Sequence, residues 1–555
     1  MTRVTWRIHL LQQRIRCVRM WQYRDPSVGL NVATIKYVME NHIHWLEPVS
    51  PELTSPMQLI EMGSGLLAME TPNHRRILAL KNEIDTITNR PNATIQLWDD
   101  AKKITNPYEY IFLSLQKRQH KSIAAVNPLS RSYFKMMEMW DLLSPILPSD
   151  QPFLTAHSAE GPGGFLEAIQ HRRSGTRMTA MTLRSTDRTI PGWRKSAAFL
   201  SSYPEVLITY GADGTGNLYS LDNQAAFEAT AQSHLGGKAH LYTADGGFDF
   251  SADFNAQENT VQRLLVAEAL CGLKSLRTGG TMILKLFDTK NAATLDILWI
   301  LSTCFDRTGL VKPHTSRPAN SERYWIGSGL RSETPPWIMD LLSRLTAMEA
   351  PQGWNQIFVR PPNPPGWFHQ LRTFQCAVEE HQIINIQKTL HIINEPNRAE
   401  IGALLLDNVR NSREWCARHH LTTNRLYLGL TDEQTAQLNL EEALAPFPTS
   451  VARTSLPASS PPPLTHHGLF VAPPPRPPTA SIWHQALPES VRDPLPSRTT
   501  SGIPPPVTPA QPVSRPPPGL SRPPPGLQRP SAELSQIALL LGLTHPSQLP
   551  PPGSS

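Results

Sequence analysis

The chain has 555 residues, enough for two or three domains with full cores, and carries a formal net charge of +6 with a pI of about 9.0. That mild basic excess is compatible with nucleic acid without being diagnostic of it. The five cysteines, Cys17, Cys271, Cys304, Cys376 and Cys416, form no CxxC pair, which argues against a zinc site or a disulfide framework and for reduced thiols inside a cell.

No apolar run approaches the ~18 residues of a membrane span. The basic N-terminus, MTRVTWRIHLLQQRIRCVRM, lacks the apolar stretch and small-residue cleavage site of a secretory signal. Residues 1–124 read as a mainly helical N-terminal region, on the spacing of segments such as IKYVMENHIHWLEPV at 35–49. From about 130, helices alternate with short apolar runs. A helix over SRSYFKMMEMWDLL (130–143) precedes strands over FLTAHSA (153–159), RMTAMTL (177–183), EVLITYG (205–211), AHLYTADGG (239–247), TMILKLF (281–287) and RYWIGSGL (323–330). Between them lie helices over GFLEAIQHR (164–172), NAQENTVQRLLVAEALCGLKSL (255–276) and near 292–304. Strands separated by helical lengths imply right-handed crossovers and a mostly parallel sheet, hence an α/β fold.

Residues 331–445 read as a helical C-terminal extension, with PWIMDLLSRLTAMEA, RTFQCAVEEHQIINIQKTLHIIN and NRAEIGALLLDNVRNSREWCARHHL. From 446 the composition breaks, and thirty of the 54 prolines fall there. Proline removes backbone donors and fixes φ, so 446–555 is expected to be a disordered, polyproline-biased tail. It repeats SRPPPGL at 514–520 and 521–527, and it contains SAELSQIALLLGL (531–543), whose leucines suit docking into a partner's groove. The tail is either a solubilising tether or a handle for protein partners. Its deletion is expected to spare catalysis in vitro, as turnover and thermal unfolding of a truncated chain would report.

HSAEGPGGFLEAI (157–169) follows a strand and opens a helix. Gly161, Gly163 and Gly164 remove side chains where a nucleotide-like ligand would approach the backbone, and the helix N-terminus offers free N–H groups. The spacing is not GxGxxG, and GxxxxGK[ST] is absent, which disfavours dinucleotide and P-loop sites. A compact adenosyl ligand without a pyrophosphate fits GPGGF better. YGADGTGNLYS (210–220) is either a surface turn or the opposite wall of the same pocket, with Asp213 and Asn217 placed for an adenine or ribose.

Four charged residues lie at element ends. Lys135 is in the first helix of the α/β region, Asp245 precedes two glycines, Lys285 sits within TMILKLF, and Glu322 opens the last strand. A lysine among Met282, Ile283, Leu284, Leu286 and Phe287 is the strangest, because an unpaired buried ammonium is costly. Taken singly, Lys285 also reads as a snorkelling side chain, Asp245 as a turn former, and Lys135 and Glu322 as solvated charges.

Taken in order, SRSYFKMMEMWDLL, AEGPGGF, YTADGGFD, MILKLF and SERYWIGSGL resemble the FtsJ-type family of RNA ribose 2′-O-methyltransferases over roughly 125–330. More narrowly they resemble the branch that methylates the first transcribed nucleotides of capped mRNA, including enzymes of large DNA viruses. MTLRSTDRTIPGWRK, GADGTGNLY and REWCARHHL (413–421) also look like that branch. The resemblance implies a Rossmann-like methyltransferase fold over 125–330, with a mostly parallel seven-stranded sheet whose last strand pairs antiparallel at its far end. It implies S-adenosyl-L-methionine as cofactor, held by Gly161, Pro162, Gly163, Gly164, Phe165, Asp213, Asn217 and Asp245. It implies a catalytic tetrad of Lys135, Asp245, Lys285 and Glu322, separated by 110, 40 and 37 residues. No metal is required.

Two positions depart from the family pattern. Thr182–Leu183 stands where many methyltransferases place an acid on the cofactor ribose, and Asn217 where an aspartate often occurs.

In the implied reaction a ribose 2′-hydroxyl attacks a sulfonium methyl group. Lys285 either deprotonates that hydroxyl or stabilises the developing alkoxide. The first role needs its pKa to fall from ~10.4; burial and Lys135 favour a fall, and Asp245 and Glu322 oppose it. Asp245 is expected to orient Lys285, and Glu322 to hold it. Capped mRNA is the expected RNA partner, approached by Arg131, Arg184, Arg188, Arg194 and Lys195; Trp193 and Tyr133 read as core residues before base-stacking ones. The expected location is intracellular: infected cytoplasm or virion for a viral protein, nucleus for a cellular one. Competing readings are a ribosomal or transfer RNA 2′-O-methyltransferase, a non-catalytic scaffold with an interaction tail, and a proline-rich adaptor.

Overall fold

A computed structural model describes residues 32–447 except 41, 52–54, 64, 89–94, 114–121, 188–189, 249–255 and 360–363. The proline-rich segment and Arg188 therefore lie outside the described residues. The described residues belong to one compact unit.

In chain order, the N-terminal region contributes α1 (Val32–Met39), β1 (His44–Trp45), β2 (Gln58–Met62), α2 (His74–Thr88) and α3 (Ile95–Thr105). The α/β region follows with α4 (Ser132–Leu143), β3 (Leu154–Ser158), α5 (Gly164–Arg172), β4 (Arg177–Met181), α6 (Ala197–Ser202), β5 (Val206–Thr209), α7 (Leu221–Leu235) and β6 (Ala239–Ala244). It continues through α8 (Gln257–Ser275), β7 (Leu276–Leu286), α9 (Ala292–Cys304), β8 (Phe305–Val311) and β9 (Arg323–Leu330). The extension adds α10 (Pro336–Ala347), β10 (Trp354–Phe358), α11 (Pro365–Asn394), α12 (Arg398–Arg418) and α13 (Asp432–Leu444).

The main sheet has the order β1-β8-β9-β7-β6-β3-β4-β5. Strands β5, β4, β3, β6 and β7 run parallel, and β9 is antiparallel to both β7 and β8. Seven of these strands come from the α/β region, as the mostly parallel Rossmann-like reading requires. Three details differ from the sequence reading. First, β9 is antiparallel but lies between β7 and β8, not at the far end. Second, the outer strand is FDRTGLV, hidden in the sequence because Asp306 and Arg307 start it on the exposed side and Gly309 interrupts it. Third, an eighth strand comes from the N-terminal region: His44 and Trp45 pair with Leu310 and Gly309 inside a stretch whose spacing had suggested continuous helix. Gly309 makes that pairing possible, since a Cβ there would stand 2.9 Å from the His44 carbonyl oxygen.

Both faces of the sheet are covered, so strand residues alternate between two apolar layers rather than between core and water. Tyr242, Met282, Leu284 and Trp325 face a layer shared with α7 to α11. Leu241, Ile283, Tyr324 and Ile326 face a layer shared with α4, α5, α12 and α13. The flanking helices therefore complete the core. Phe447, the last described residue, is itself buried at 7% exposure, so a tail deletion that preserves packing must begin at residue 448. Among the described residues no helix is long and apolar enough to cross a membrane.

Candidate active site

Strand order reverses at β3 and β6: the chain runs outward through β4 and β5, then returns to build β6 and β7 on the other side. Ligands of open α/β sheets bind at the carboxyl ends of strands beside such a reversal. Asp245 directly follows β6, Lys285 is the next-to-last residue of β7, and Glu322 directly precedes antiparallel β9. All three thus reach the same end of the sheet. Register fixes the face, because Lys285 is paired with Tyr324 across β7 and β9. The first turn of α4 brings Lys135 over this face.

The four predicted tetrad residues converge. Lys285 Nζ donates to the Asp245 carbonyl at 2.6 Å and lies 3.3 Å from Asp245 Oδ1. Tyr324, which the sequence reading did not single out, donates its hydroxyl to Asp245 Oδ1 at 2.8 Å and accepts from Lys135 Nζ at 3.3 Å. Lys135 Nζ reaches Glu322 Oε1 at 2.8 Å and Oε2 at 2.9 Å. The expectation that Glu322 holds Lys285 therefore changes: Glu322 grips Lys135, and Lys285 is held by Asp245. The cause is position. Glu322 lies two residues before Tyr324 and faces α4, whereas Asp245 ends the strand next to β7. Room for Lys285 depends on Gly247, where a Cβ would stand 3.2 Å from Nζ.

Glu322 is placed by its own loop. Lys312, fully buried at the end of β8, donates to Ser316 Oγ at 3.0 Å, Asn320 Oδ1 at 2.7 Å and the Glu322 carbonyl at 2.7 Å. Ser316 Oγ in turn donates to Glu322 Oε1 at 2.8 Å. From α4, one turn beyond Lys135, buried Glu138 accepts from the N–H groups of His314 and Thr315 at 2.7 and 2.9 Å. One helix thus holds both Lys135 and the loop carrying its acidic partner.

These contacts set the charges. Burial pushes the Lys285 amine down, but the carboxylates of Asp245 and then Glu322 outweigh it and hold it above the ordinary lysine value. The fall required for a resident base is therefore absent, and Lys285 is an ammonium at neutral pH. Burial opposes ionisation of Glu322, yet Lys135, Lys285 and Lys312 bring its carboxyl down to about 2. Burial lowers Lys312 well below its ordinary value, with Glu322 opposing.

Residues 128–330 match the family described as FtsJ-like methyltransferase. The chain carries an FtsJ-like methyltransferase domain. A cap-specific mRNA (nucleoside-2′-O-)-methyltransferase 1 of Trypanosoma cruzi (strain CL Brener) is 37% identical over 186 residues, covering 32% of this chain and 48% of that protein. The human protein of that name is 36% identical over 177 residues, 31% of this chain and 21% of its own. That of Dictyostelium discoideum is 28% identical over 300 residues, 51% of this chain and 37% of its own. This chain thus spans less than half the length of each. All three are cellular proteins, whereas the sequence reading also pointed to enzymes of large DNA viruses.

In the methyltransferase domain the glycine-rich turn leaves β3 and enters α5. Gly163 caps that helix at φ 103°, a left-handed conformation open to glycine. Gly161 and Gly164 have a second use beyond the one foreseen. A Cβ on Gly161 would stand 2.8 Å from the Pro191 carbonyl, and one on Gly164 would strike Ser132 and Ser130. They let the turn pack against the 191–192 loop and the start of α4. Pro162 follows a cis peptide bond and its carbonyl accepts from Ser196 Oγ at 2.5 Å. Phe165 is fully buried, its ring 5.8 Å from that of Tyr324, and supports the site from beneath. In the second loop, Asp213 Oδ1 accepts from the Thr215 N–H and hydroxyl at 2.8 and 2.7 Å, and Asn217 Oδ1 accepts from the Tyr219 N–H at 3.0 Å. These side chains brace their own loop, which Gly216 lets settle onto the Thr182 carbonyl at the end of β4.

The residues of this end fit an S-adenosylmethionine cofactor. The helix α5 N-terminus has no side-chain cap, and a buried carboxylate oxygen of Glu160 beside the turn has no hydrogen-bond partner among the described residues. The basic residues divide. Arg131 is committed to the Phe112 carbonyl at 2.6 Å and to Glu109, so it braces the fold instead of meeting RNA. Arg194 spans the carbonyls of Ser185, Asp187 and Ile190. Arg184 and Lys195 are exposed, while Trp193 and Tyr133 are core residues.

Proposed function

We propose that this chain transfers a methyl group from S-adenosyl-L-methionine to the ribose 2′-hydroxyl of the first transcribed nucleotides of capped mRNA. The observation that carries this reading is the buried Lys135–Glu322, Lys285–Asp245 arrangement at the sheet reversal beside the glycine-rich turn. The cofactor supplies an electrophilic methyl group on a sulfonium. Lys285, as an ammonium, would steer the 2′-oxygen and stabilise the negative charge that grows as the oxygen–carbon bond forms and the carbon–sulfur bond of the donor breaks to leave a thioether, with the hydroxyl proton passing late to water. Asp245 fixes the amine through its carbonyl and carboxylate, with Tyr324 bracing that carboxylate from the other side. Lys135 and Glu322 hold the outer wall.

A cavity of about 130 Å³ supports a capped substrate. It is lined by Lys102, Trp98, Asn106, Arg317 and Asn320 among others, and Arg317 and Asn320 belong to the loop that ends at Glu322. Arg317 is already paired with Glu109 at 2.8 Å and Lys102 with Asp99 at 2.5 Å, so what the cavity contributes to this reading is its place, one loop from the reacting centre. Short capped and uncapped RNAs of one sequence, followed by nuclease mapping of the labelled ribose, test the reading. The capped RNA is expected to show a kcat/KM at least about tenfold higher. Equal turnover of both, or label outside the first nucleotides, would reject capped mRNA as the substrate.

The four described cysteines are free and buried, which suits an intracellular setting, nuclear for a cellular protein. The segment 446–555 is the part we assign to protein partners, on its composition alone.

A further inference from the structure

Glu160 stands outside every role assigned so far. It is 3% exposed and lies between the end of β3 and Gly161. Its Oε1 accepts from the Thr243 hydroxyl at 2.5 Å, and that hydroxyl is also bonded to His157 Nδ1 at 2.8 Å, while His157 Nε2 meets Thr155 Oγ1 at 2.8 Å. This line of side chains crosses β3 and β6 and fixes the carboxyl group in one orientation. The other oxygen, Oε2, is buried and meets no hydrogen-bond partner among the described residues. A buried carboxyl left half-satisfied is costly, and Glu268 Oε1, on a residue that faces Glu160, is likewise without a partner among the described residues, so two open oxygens mark one polar space.

We propose that Glu160 is the subsite for the cofactor's sulfonium, the carboxylate that lets this enzyme hold the charged methyl donor more tightly than the neutral thioether left after transfer. The inference rests on the S-adenosylmethionine reading above. The groups that face Glu160 agree with it. From β6 comes Asp245, from β7 Lys285, from α8 Glu268, from β9 Tyr324 and from β3 His157. Burial keeps His157 neutral, with a pKa of about 3, so it brings no positive charge. Three carboxyl groups therefore share a dry space with one ammonium, Lys285, that is already engaged by Asp245. A cation is what completes this set. In its absence burial, then Asp245, hold the Glu160 carboxyl well above the ordinary carboxylate range, and burial brings Glu268 to about 8. Ionisation of Glu160 is thus disfavoured in the free chain, and a cation placed at its open oxygen would favour it.

The sign follows. A cation favours the ionised carboxyl, so affinity for the charged donor rises with pH until the group is ionised without the ligand. S-adenosylhomocysteine carries the same amino and carboxyl groups without the sulfonium charge; because that charge also shifts the donor's own amino group, the wild-type ratio is read against that of Glu160→Gln.

The experiment is calorimetric titration of the full chain with S-adenosylmethionine and with S-adenosylhomocysteine, from about pH 6 to about pH 8, on wild type and on Glu160→Gln. In wild type the preference for the charged donor is expected to grow as pH rises. In Glu160→Gln, with unfolding temperature as the check on folding, the preference is expected to be about tenfold smaller at the upper pH and to rise less with pH than in wild type. A wild-type ratio that rises with pH no more than that of the variant overturns the proposal, and so does a folded Glu160→Gln protein that keeps the wild-type ratio. If wild type binds neither ligand, the cofactor reading itself fails, a result distinct from both.

Discussion

Lys285→Ala is expected to lower methyl transfer by at least about 10³-fold, because it removes the donor aimed at the forming bond and the group that positions the 2′-oxygen. The fold should tolerate the change. Asp245 keeps the Tyr324 hydroxyl at 2.8 Å, and Lys135 and Glu322 keep each other. Asp245 loses its counter-ion, so a fall in unfolding temperature is expected beside the loss of rate, while the alanine sits on a strand whose flanking residues Leu284 and Leu286 are buried. Single-turnover transfer of a labelled methyl group to capped RNA, with cofactor affinity and unfolding temperature measured alongside, checks the claim. Lys285→Arg is a sharper test. It keeps the charge, but its planar fork is bulkier than an ammonium that already lies 3.2 Å from the Cβ position of Gly247. Most of the activity should be lost there too. A rate within about tenfold of wild type for alanine would remove Lys285 from the chemistry.

Much of this site was legible because its parts lie at the edges of strong sequence patterns. TMILKLF is apolar enough that Lys285 stands out within it, and YTADGG ends a strand on an acid followed by two glycines. What joins those parts is register, and the sequence carries no register. Nothing local says that Tyr324 lies across from Lys285, so the partner of Glu322 was assigned to the wrong lysine. Lys312 reads as an ordinary strand-end lysine in VKPH until its hydrogen bonds to the loop are seen. Glu160 passes as a polar residue in a turn, since its isolation depends on burial by β6 and α8. In the fold, most elements that recur with a period are legible, though α7 is not, and four strands that depend on long-range pairing, β1, β2, β8 and β10, are not. His44–Trp45 is too short to show alternation, and Phe305–Val311 opens on two charged residues. The boundary drawn at residue 330 rests on a change of pattern, and chain beyond it contributes Trp354, Trp367 and Phe374 to the same core layer as β7 and α9.

That shared core makes a second large effect. Arg323→Ala is expected to destabilise the chain by about 3–5 kcal/mol, lowering the unfolding temperature by on the order of 10 °C. Arg323 opens β9 and is fully buried. It donates to the Ser321 carbonyl at 2.9 Å, to Gln375 Oε1 at 2.6 Å and to Asp288 Oδ1 at 3.3 Å. Gln375, on α11, donates to Asp288 Oδ1 at 3.0 Å and to Glu379 Oε1 at 3.0 Å, and Lys290 lies 3.4 Å from Glu379 and 3.7 Å from Asp288. Two cations thus balance two carboxylates across the joint between β9, the residues after β7 and the helical extension. Thr71 of the N-terminal region closes the set by donating to Glu379 Oε2 at 2.5 Å. Removing Arg323 leaves a buried carboxylate in excess, the situation in which breaking an ionic network is most costly. Burial opposes ionisation of Asp288, but Lys290 and Arg323 hold it below the ordinary carboxylate range. Its stabilisation is therefore complete above the unfolded value of about 3.9 and lost only as pH falls through the depressed value. In Arg323→Ala that loss should begin at higher pH. Pairing the change with Asp288→Asn should restore part of the deficit, because the neutral amide needs no counter-charge, and a double-mutant cycle measures the coupling. Additive effects would mean that the joint is held by the apolar layer alone.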